Sequence, residues 1–510
     1  MIDNPATQER VFAFLTDPAT HPDVRRIDTH AASVFLEGQR ALKIKRAVRF
    51  PFLDYSTLEK RKSACEEEIR INRPFAPQIY RRVVAITEAD DGSLSLDGDG
   101  TPIEFAVEMF RFDERRTLDH LASVGPLDPD LAVNIADAIS ASHAIVPQAE
   151  SAHWIASIPT LIEGNAEGLR RGGCFAAGEI EELARNSHQA LSHIRSLLEE
   201  RGRQGFVRRC HGDLHLANIV AIDDRPVLFD AIEFDPRIAS VDVLYDLAFT
   251  LMDLLRYDQR PAANIVFNRY LATTSIENLD GLGAIPLFMS IRAAIRAQVL
   301  LARLTRPHSD QAEVLDDARS YFKLALALIQ PPAPRLIAIG GLSGTGKSVL
   351  ARALAPAVAP QPGAVVLRSD IVRKQLFNVN DTDRLPSSAY RPDVTERVYE
   401  TLARRARRVL TQGHSVILDA VFAQESERDA VAAVARDCKA PLTGFFLIAD
   451  LASRQARIGR RQGDASDATQ KIAALQEHYN IGAVGWTIID ASGTPAQTLE
   501  HCRIGIAESK

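Results

Sequence analysis

Two stretches of the sequence carry residue types that can hold and transfer phosphate, and the first is segment 211–218. It reads His-Gly-Asp-Leu-His-Leu-Ala-Asn, so Asp213 and Asn218 are five residues apart. An aspartate in such a loop can accept the proton of an attacking hydroxyl, and the asparagine can bind Mg²⁺. The apolar strand 227–229 follows, and Asp230 at its end is a second candidate ligand for Mg²⁺. The alternative interpretation is a capped turn around a buried histidine.

The second stretch, 341–348, reads Gly-Leu-Ser-Gly-Thr-Gly-Lys-Ser and matches the phosphate-loop pattern G-x-x-x-x-G-K-S/T. Its glycines allow backbone amides to face phosphate oxygens, while Lys347 can reach the terminal phosphates and Ser348 can offer a hydroxyl to Mg²⁺. Asp419 ends the apolar strand 415–418, and we expect it on the metal side of this site unless it is a surface or capping acid. The predicted nucleotide contacts are Gly341, Ser343, Gly344, Thr345, Gly346, Lys347, Ser348 and Val349.

A carboxylate and an arginine follow the second predicted strand of this region. Asp370 and Arg373 lie three residues apart at a predicted helix start, so they share one helix face. In that position the acid can accept a hydroxyl proton, and the arginine can hold substrate or phosphate. An N-cap aspartate with a surface arginine is the alternative interpretation.

Three arginines precede a polar turn near the end of the chain. They are Arg457, Arg460 and Arg461, and the turn is 463–467. Cations in a lid over the nucleotide would stabilise the negative charge that spreads during phosphoryl transfer. A solvated helix face is the alternative.

The expected elements divide the chain into two regions of different class. After residue 334 short apolar strands alternate with helices, which predicts an α/β domain with a parallel sheet flanked by helices. Strands and one helix, 58–72, are expected before residue 110, and helices dominate 128–328, which predicts an α+β fold. The prolines of 330–335 predict a linker. We therefore predict domains at 1–330 and 334–510.

The C-terminal region resembles small P-loop kinases similar to gluconate kinase, zeta toxins and the kinase part of polynucleotide kinase. The resemblance rests on 341–348, on Arg-Ser-Asp-Ile-Val-Arg-Lys at 368–374, on Val-Ile-Leu-Asp-Ala-Val-Phe at 416–422 and on 460–468. It implies transfer of the ATP γ-phosphate to a hydroxyl. It also implies that Asp370 is the base and that Arg373 contacts the substrate.

Segment 211–218 resembles the catalytic loop of the aminoglycoside phosphotransferase and choline kinase group, which reads H-G-D-x-x-x-x-N. The resemblance implies a bilobal protein-kinase-like fold, with a small lobe at about 1–110 and a helical lobe at about 111–330. It implies ATP-dependent phosphorylation of a small molecule, with Asp213 as base and with Asn218 and Asp230 on Mg²⁺. The whole arrangement resembles a tandem group of aminoglycoside phosphotransferase-like and ATP-binding proteins.

The resemblance to the aminoglycoside phosphotransferase and choline kinase group also implies a lysine in the small lobe and a glutamate on a helix that orients it. Lys43 and Lys45 are two residues apart on one predicted strand and share its face, so either can contact the nucleotide, and Lys43 is favoured. Glu68 on the helix 58–72 is the candidate partner. Glu108 and Met109 belong to the segment expected to face adenine. Surface charge is the alternative for the charged residues.

Composition excludes several classes of protein. The 510 residues are 46% hydrophobic and 25% charged, which excludes a disordered, collagen-like or coiled-coil chain. A formal net charge of -6 and 6% aromatic residues argue against nucleic acid as a partner. Five scattered cysteines, no recognisable signal peptide and no long apolar run predict a cytoplasmic protein without a membrane span. The sequence leaves the oligomeric state open.

These observations predict a bifunctional, ATP- and Mg²⁺-dependent kinase in which each domain phosphorylates a small-molecule hydroxyl. Residues 334–510 hold 23 Lys and Arg against 18 Asp and Glu, which is compatible with a second domain that phosphorylates the product of the first. One alternative is a single active kinase domain regulated by a nucleotide-binding pseudoenzyme. Another is a nucleotide-hydrolysing switch that acts on a macromolecular partner.

Overall fold

The computed structural model describes residues 5–29, 31–50, 53–304, 311–460 and 463–508. The chain divides into two compact units. The first comprises Met1–Gly168 and Leu198–Gln259, and the second comprises Leu169–Leu197 and Arg260–Lys510. The proline-rich segment 330–335 lies inside the second unit, and the predicted domain boundary at 330–334 stays a prediction.

An antiparallel sheet of six strands begins the first unit, in the order β1-β2-β3-β8-β6-β7. Helix α1 (Pro5–Leu15) packs on one face through Val11 and Phe12, and α2 (Leu58–Asn72) packs on the other through Cys65. The strands of this region are β1 (Arg25–Asp28), β2 (Ala32–Glu37), β3 (Arg40–Lys45), β4 (Arg49–Phe50), β5 (Leu53–Asp54), β6 (Tyr80–Glu88), β7 (Leu94–Leu96) and β8 (Thr101–Phe110), of which β4 and β5 form a separate ribbon.

Helix α2 has the bounds that the sequence predicts. The Thr57 side chain accepts a hydrogen bond from the Lys60 amide and caps the helix start. Strand β3 alternates as expected, because Leu42 and Ile44 enter the core under α1 while Lys43 and Lys45 lie on the opposite face. Both lysines therefore face α2, which carries Glu68.

Helices and short strand pairs complete the first unit. The loop 210–218 runs between β9 and β10, and β10 pairs with β11 as an antiparallel hairpin. Helices α5 and α6 have residues in both units. The elements are α3 (Leu118–Val124), α4 (Pro129–Ile145), α5 (Ser151–Gly172), α6 (Ala177–Arg203), β9 (Val207–Arg209), β10 (Ile219–Ile222), β11 (Arg225–Leu228), α7 (Pro236–Ala239), β12 (Ser240–Asp242) and α8 (Val243–Arg256).

The second unit contains a parallel sheet of five strands in the order β14-β15-β13-β16-β17, with helices around it. The central strand β13 is buried along its whole length and leads into the phosphate loop. Together with the first unit, this sheet confirms the predicted combination of α/β and α+β folds. The elements are α9 (Arg260–Thr273), α10 (Ile285–Arg303), α11 (Gln311–Ile329), β13 (Leu336–Gly341), α12 (Lys347–Leu354), β14 (Val365–Arg368), α13 (Ser369–Leu376), α14 (Pro392–Thr411), β15 (Val416–Asp419), α15 (Glu425–Asp437), β16 (Leu442–Ile448), α16 (Leu451–Gly459), α17 (Gln470–Leu475), β17 (Thr487–Asp490) and α18 (Pro495–Glu508).

Helix α9 covers the edge strand β14 of this sheet. Asn268 accepts a hydrogen bond from the Val366 amide at 2.7 Å and donates one to the Ala364 carbonyl at 3.1 Å. Asn264 donates to the same carbonyl at 3.1 Å and to the Pro362 carbonyl at 3.2 Å. Two asparagine side chains therefore satisfy main-chain groups that an edge strand would otherwise leave unpaired.

One helical stretch of the described residues, Ile276–Ala302, is long and apolar enough to cross a membrane, with a mean hydropathy of 1.4. Its apolar window is 72% buried inside the structure, and its helix α10 packs against α11. The sequence does not predict this stretch because Arg292 and Arg296 interrupt the apolar run. Such burial is typical of a core helix in a folded domain.

Candidate active sites

The loop 211–218 of the first unit is held by carboxylates of α8. Asp246 accepts hydrogen bonds from the main-chain amides of His211 and Gly212, at 3.2 and 2.8 Å. Asp253, for which the sequence alone predicts no role, accepts a hydrogen bond from the Leu216 amide at 2.9 Å. Gly212 has φ +84°, and a Cβ there would lie 2.8 Å from the Ala239 Cβ, so this position requires glycine.

His211 is part of this framework. One imidazole nitrogen, Nε2, lies 2.8 Å from the Phe229 carbonyl oxygen, and the other accepts from the Asp213 amide at 3.3 Å. Burial lowers the pKa of His211 below its usual value of 6.5. A neutral His211 therefore supports the loop and the end of the strand that leads to Asp230.

Asp213 and Asn218 lie together at the end of this loop, as their spacing predicts. The Asn218 amide nitrogen donates to the Asp213 carbonyl at 2.9 Å and to its carboxylate at 3.2 Å, which leaves the amide oxygen as the acceptor end of that side chain. The side chains of Asp213 and Asp230 are 41% and 42% exposed. These carboxylate and amide oxygens are the donor type that Mg²⁺ prefers, so Asn218 and Asp230 fit a metal site.

Lys43 connects the small sheet with Asp230, which lies two residues after the end of β11. Its ammonium group lies 2.8 Å from Glu68 and 2.5 Å from Asp230. Burial disfavours the charged lysine, but the charges of Asp230 and Glu68 outweigh it and raise the pKa of Lys43 well above its usual value. The pKa of Asp230 is lowered although burial opposes this, because Lys43 stabilises the carboxylate. Lys43 and Glu68 are the lysine and the glutamate that the sequence favours for this pair.

Lys45 has a different environment. Its ammonium group lies 2.6 Å from the second carboxylate oxygen of Glu68 and pairs with Glu233, to which the Tyr55 hydroxyl also donates at 2.8 Å. The Lys45 side chain is only 3% exposed. The sequence alone predicts no role for Glu233 or Tyr55, although Glu233 follows Asp230 by three residues.

The predicted adenine-facing segment lies at the end of β8. The Glu108 carboxylate is buried and accepts hydrogen bonds from Arg81 at 3.1 Å and from Arg82 at 3.0 Å. Met109 is buried next to it in the core beneath α2. The Glu108 side chain is therefore engaged within the sheet, and the contact of Glu108 and Met109 with adenine stays a prediction.

In the second unit the phosphate loop has the backbone that its glycines allow. Gly341, Gly344 and Gly346 have φ values of +137°, +90° and +98°, and a Cβ on Gly344 would lie 2.7 Å from the Arg454 carbonyl oxygen. The Lys347 ammonium group donates to the Leu342 carbonyl at 3.1 Å. The predicted contacts Ser343, Gly344, Thr345, Gly346, Lys347, Ser348 and Val349 line one cavity, whereas Gly341 is buried at the end of β13.

Asp370 and Asp419 lie at the carboxyl ends of the neighbouring strands β14 and β15. Burial and the charge of Asp419 raise the pKa of Asp370 above 3.8. Arg368 lies 3.3 Å from Asp419 and 2.9 Å from Asp464, which attaches the polar turn 463–467 to this edge of the sheet. The Asp419 carboxylate and the Ser348 hydroxyl are oxygen ligands on the same cavity, so they fit Mg²⁺.

The predicted arginines have different positions. Arg373 lines the cavity, and its guanidinium group donates to the Ala389 carbonyl at 2.6 Å and to Thr395 at 3.3 Å. Arg457 also lines the cavity and donates to the carbonyls of Ala491 and Gly493, at 2.7 and 3.0 Å. Arg460 is exposed at the end of α16, and Arg461 lies outside the described residues. The catalytic roles of these arginines stay predictions.

Arg454 is a further arginine of α16, for which the sequence alone predicts no role. It is buried behind the phosphate loop, pairs with Glu477 and donates to the Ser343 carbonyl at 3.5 Å. Its spacing of three residues from Arg457 places both on one helix face, and this was the signal that could have found it.

The comparisons with known proteins agree with a phosphate-binding second unit. Residues 336–479 match a family described as an AAA domain, which supports a P-loop nucleotide-binding role. Three proteins described as uncharacterized, one from Mycobacterium bovis and two from Mycobacterium tuberculosis strains, are each 29% identical over 464 residues, which is 89% of this chain and 89% of each relative.

Several solved structures that are similar to parts of the chain are described as kinases. A gluconokinase from Sinorhizobium meliloti is 20% identical with a TM-score of 0.26, and the match covers 34% of this chain and 93% of that one. The amicoumacin kinase hAmiN, solved with AMP-PNP, Ca²⁺ and Ami, is 13% identical with a TM-score of 0.38, and the match covers 63% of this chain and 93% of that one.

Proposed function

We propose that the chain is an ATP-dependent phosphotransferase with two active sites, each of which transfers the γ-phosphate of ATP to a hydroxyl group of a small molecule. The observation that carries this proposal is the same in both units. Each brings a lysine for phosphate, a carboxylate that can accept a proton and a second carboxylate for Mg²⁺ into one place. Phosphoryl transfer needs these groups and little covalent chemistry from the protein.

In the first unit Asp213 accepts the proton of the acceptor hydroxyl. The hydroxyl oxygen forms a bond to the γ-phosphorus, the bond from that phosphorus to the β–γ bridging oxygen breaks, and ADP leaves. Lys43, oriented by Glu68, binds the nucleotide phosphates. Asn218 orients the Asp213 carboxylate through its amide hydrogen bond.

In the second unit Asp370 accepts the hydroxyl proton, and the same bonds form and break. Its raised pKa makes it a stronger base than a solvent-exposed aspartate. Lys347 and the amides of the phosphate loop bind the ATP phosphates. Arg457 keeps the loop in place through its hydrogen bonds to neighbouring carbonyls.

Mg²⁺ fits both sites. Asn218 and Asp230 would hold it in the first unit, and Ser348 and Asp419 would hold it in the second. When bound, the ion neutralises the negative charge of the nucleotide phosphates.

The test uses γ-labelled ATP, Mg²⁺ and a small-metabolite extract of the source cells. The full-length chain is compared with Asp213→Asn and Lys347→Ala. The matched controls are Asp223→Asn, in the exposed β10–β11 turn, and Lys471→Ala, on the exposed face of α17. We expect Asp213→Asn and Lys347→Ala each to abolish a different labelled product, with both controls behaving like the parent chain.

Each other outcome selects a different function. Loss of all products through one variant, with no effect of the other, indicates a single kinase site beside a regulatory unit. Label that appears only as inorganic phosphate in every chain contradicts transfer to a small molecule and indicates a nucleotide-hydrolysing switch. A cytoplasmic location stays a prediction.

A further inference from the structure

Segment 229–232 of the first unit carries Asp230 and lies between β11 and α7, outside both elements. The amides at its two ends donate to main-chain carbonyls of the loop 211–218, each at 3.0 Å. The two central amides, those of Asp230 and Ala231, are not paired in this way. Because buried main-chain amides need acceptors, these two must find them elsewhere in the fold.

Two side chains from the small-sheet region accept from these central amides. The Tyr80 hydroxyl, at the first residue of β6, accepts a hydrogen bond from the Asp230 amide at 3.0 Å. The side-chain oxygen of Asn72, the last residue of α2, accepts one from the Ala231 amide at 2.8 Å. Tyr80 and Asn72 are 2% and 1% exposed, so water does not compete for either contact. We call Tyr80 and Asn72 the amide-binding pair.

The backbone of Asp230 has a conformation that depends on such contacts. Its φ is +62°, in the left-handed region that residues other than glycine rarely adopt. A residue stays in that region only when its surroundings determine its position, and such residues cluster at functional sites. Asp230 is held at both ends, because its amide contacts Tyr80 and its carboxylate contacts Lys43 at 2.5 Å.

The packing of Tyr80 and Asn72 does not account for their polar groups. The Tyr80 ring belongs to the apolar core that includes Cys65 and Met109, where a phenylalanine ring would serve equally. The side-chain nitrogen of Asn72 donates to the Glu68 carbonyl at 3.1 Å within α2, which leaves its oxygen for Ala231. The tyrosine hydroxyl and the asparagine oxygen therefore act on the segment that carries Asp230.

We propose that Tyr80 and Asn72 are positioning residues for the Mg²⁺ site of the first unit, and that they hold Asp230 in the conformation in which its carboxylate binds the ion. This inference rests on the proposed function and adds two residues to that site. Both residues act through the main chain of 230–231. The carboxylate itself stays 42% exposed and open to a ligand.

The test measures how much Mg²⁺ strengthens nucleotide binding at the first site. Calorimetric titration with AMP-PNP is carried out in Mg²⁺ and in EDTA, in the Lys347→Ala chain, so that the second site does not contribute. We expect Tyr80→Phe to weaken AMP-PNP binding about tenfold in Mg²⁺, the loss typical when a partner that orients a metal ligand is removed. Binding in EDTA should stay unchanged, because the contacts that do not involve the metal remain.

The variant Asn72→Leu tests the other half of the pair and should have the same effect. Tyr55→Phe is the matched control, because it removes another buried hydroxyl of the same region, one that donates to Glu233. It should leave AMP-PNP binding unchanged in both conditions. In an Asp230→Asn background, Tyr80→Phe should weaken binding in Mg²⁺ no further, because Tyr80 acts through Asp230.

The remaining outcomes separate this inference from the proposed function. Unchanged binding in Tyr80→Phe and Asn72→Leu, equal weakening in Mg²⁺ and in EDTA, an equal effect of Tyr55→Phe, or a full effect of Tyr80→Phe beside Asp230→Asn overturns the inference alone. AMP-PNP binding by the Lys347→Ala chain that does not depend on Mg²⁺ also overturns it. No AMP-PNP binding by that chain contradicts the proposed function of the first unit and the inference with it.

Discussion

At the scale of single residues, Glu68 is the point where two lysines of one strand meet. One carboxylate oxygen of Glu68 faces Lys43, and the other faces Lys45. Lys43 extends to Asp230, whose side chain is 42% exposed, whereas Lys45 extends to the buried Glu233. We therefore propose that Lys43 contacts the nucleotide and that Lys45 stabilises the first unit.

This assignment predicts opposite effects of two equal substitutions. Lys43→Met should lower kcat/KM of the first site by about a hundredfold or more, because it removes a cation from the reacting phosphates. Lys45→Met should destabilise the first unit by about 3 kcal/mol, because it leaves two buried carboxylates without their common partner. Urea unfolding followed by Trp154 fluorescence in a Trp486→Phe background measures the stability of the first unit alone.

The double variant Lys45→Met/Glu233→Gln is the control for the second effect. It removes one of the two stranded charges and should recover part of the lost stability. Equal losses of stability in Lys43→Met and Lys45→Met would contradict the division of roles.

The site residues that the sequence could predict are those whose partners follow a local spacing. Asp213 and Asn218 are five residues apart in one loop, and Lys43 and Lys45 are two residues apart on one strand and share a face of it. Asp253 could not be predicted because its partner, Leu216, is brought to it only by the fold. Glu233 follows Asp230 by three residues, but its pairing with Lys45 likewise depends on the fold. The arginines of α16 show the same limit, since the guanidinium group of Arg457 binds main-chain carbonyls that no motif marks.

At the scale of elements, helix α9 completes the parallel sheet. The Asn268 side chain pairs with the Val366 amide and the Ala364 carbonyl of the edge strand region. We predict that Asn268→Ala destabilises the second unit by about 1–3 kcal/mol, because these main-chain groups lose their partner. The control Asn380→Ala removes hydrogen bonds in an exposed turn and should change stability by less than about 0.5 kcal/mol.

The measurement is urea unfolding followed by Trp486 fluorescence in a Trp154→Phe background, which reports the second unit. Equal stability of Asn268→Ala and the parent chain would show that water replaces the asparagine at this edge.

The sequence predicted the strands and helices of this unit well, because their apolar runs are local. It could not predict that α9 covers β14, because nothing in the sequence around Asn264 and Asn268 indicates that their side chains bind the main chain of a distant strand.

A second prediction at this scale concerns His414, which precedes β15. The ring is 1% exposed, and its Nε2 donates to the Gly363 carbonyl at 3.0 Å. Burial lowers the pKa of His414 from 6.5 to about 4. Because the folded pKa lies below the unfolded one, this contribution to stability is complete above pH 6.5 and is lost as the pH falls from 6.5 towards 4.

We expect His414 to account for a loss on the order of 2 kcal/mol in the second unit between pH 7 and pH 5. His414→Gln keeps a side-chain amide that can donate to Gly363 but does not titrate. The variant should therefore lose less stability over this interval, again measured through Trp486. Parallel pH dependences of the two chains would mean that His414 is protonated without cost in the folded state.

At the scale of the whole molecule, the chain combines two structural classes, and the proposed function assigns a phosphotransfer site to each. The alternation of strands and helices after residue 334 was sufficient to predict the parallel sheet. The compact units were not predicted, because the helices 260–329 are grouped with that sheet through contacts such as those of Asn264 and Asn268. The apolar helix α10 belongs to this second unit as well, where it packs against α11.

The central claim is that one chain holds two separate nucleotide sites. Calorimetric titration of the full chain with the non-hydrolysable analogue AMP-PNP and Mg²⁺ tests it without knowledge of either acceptor. We predict two bound nucleotides per chain, of which Lys347→Ala removes one and Lys43→Met weakens or removes the other, while the double variant binds neither tightly. A stoichiometry of one in the parent chain, or loss of both sites through a single substitution, would contradict the claim.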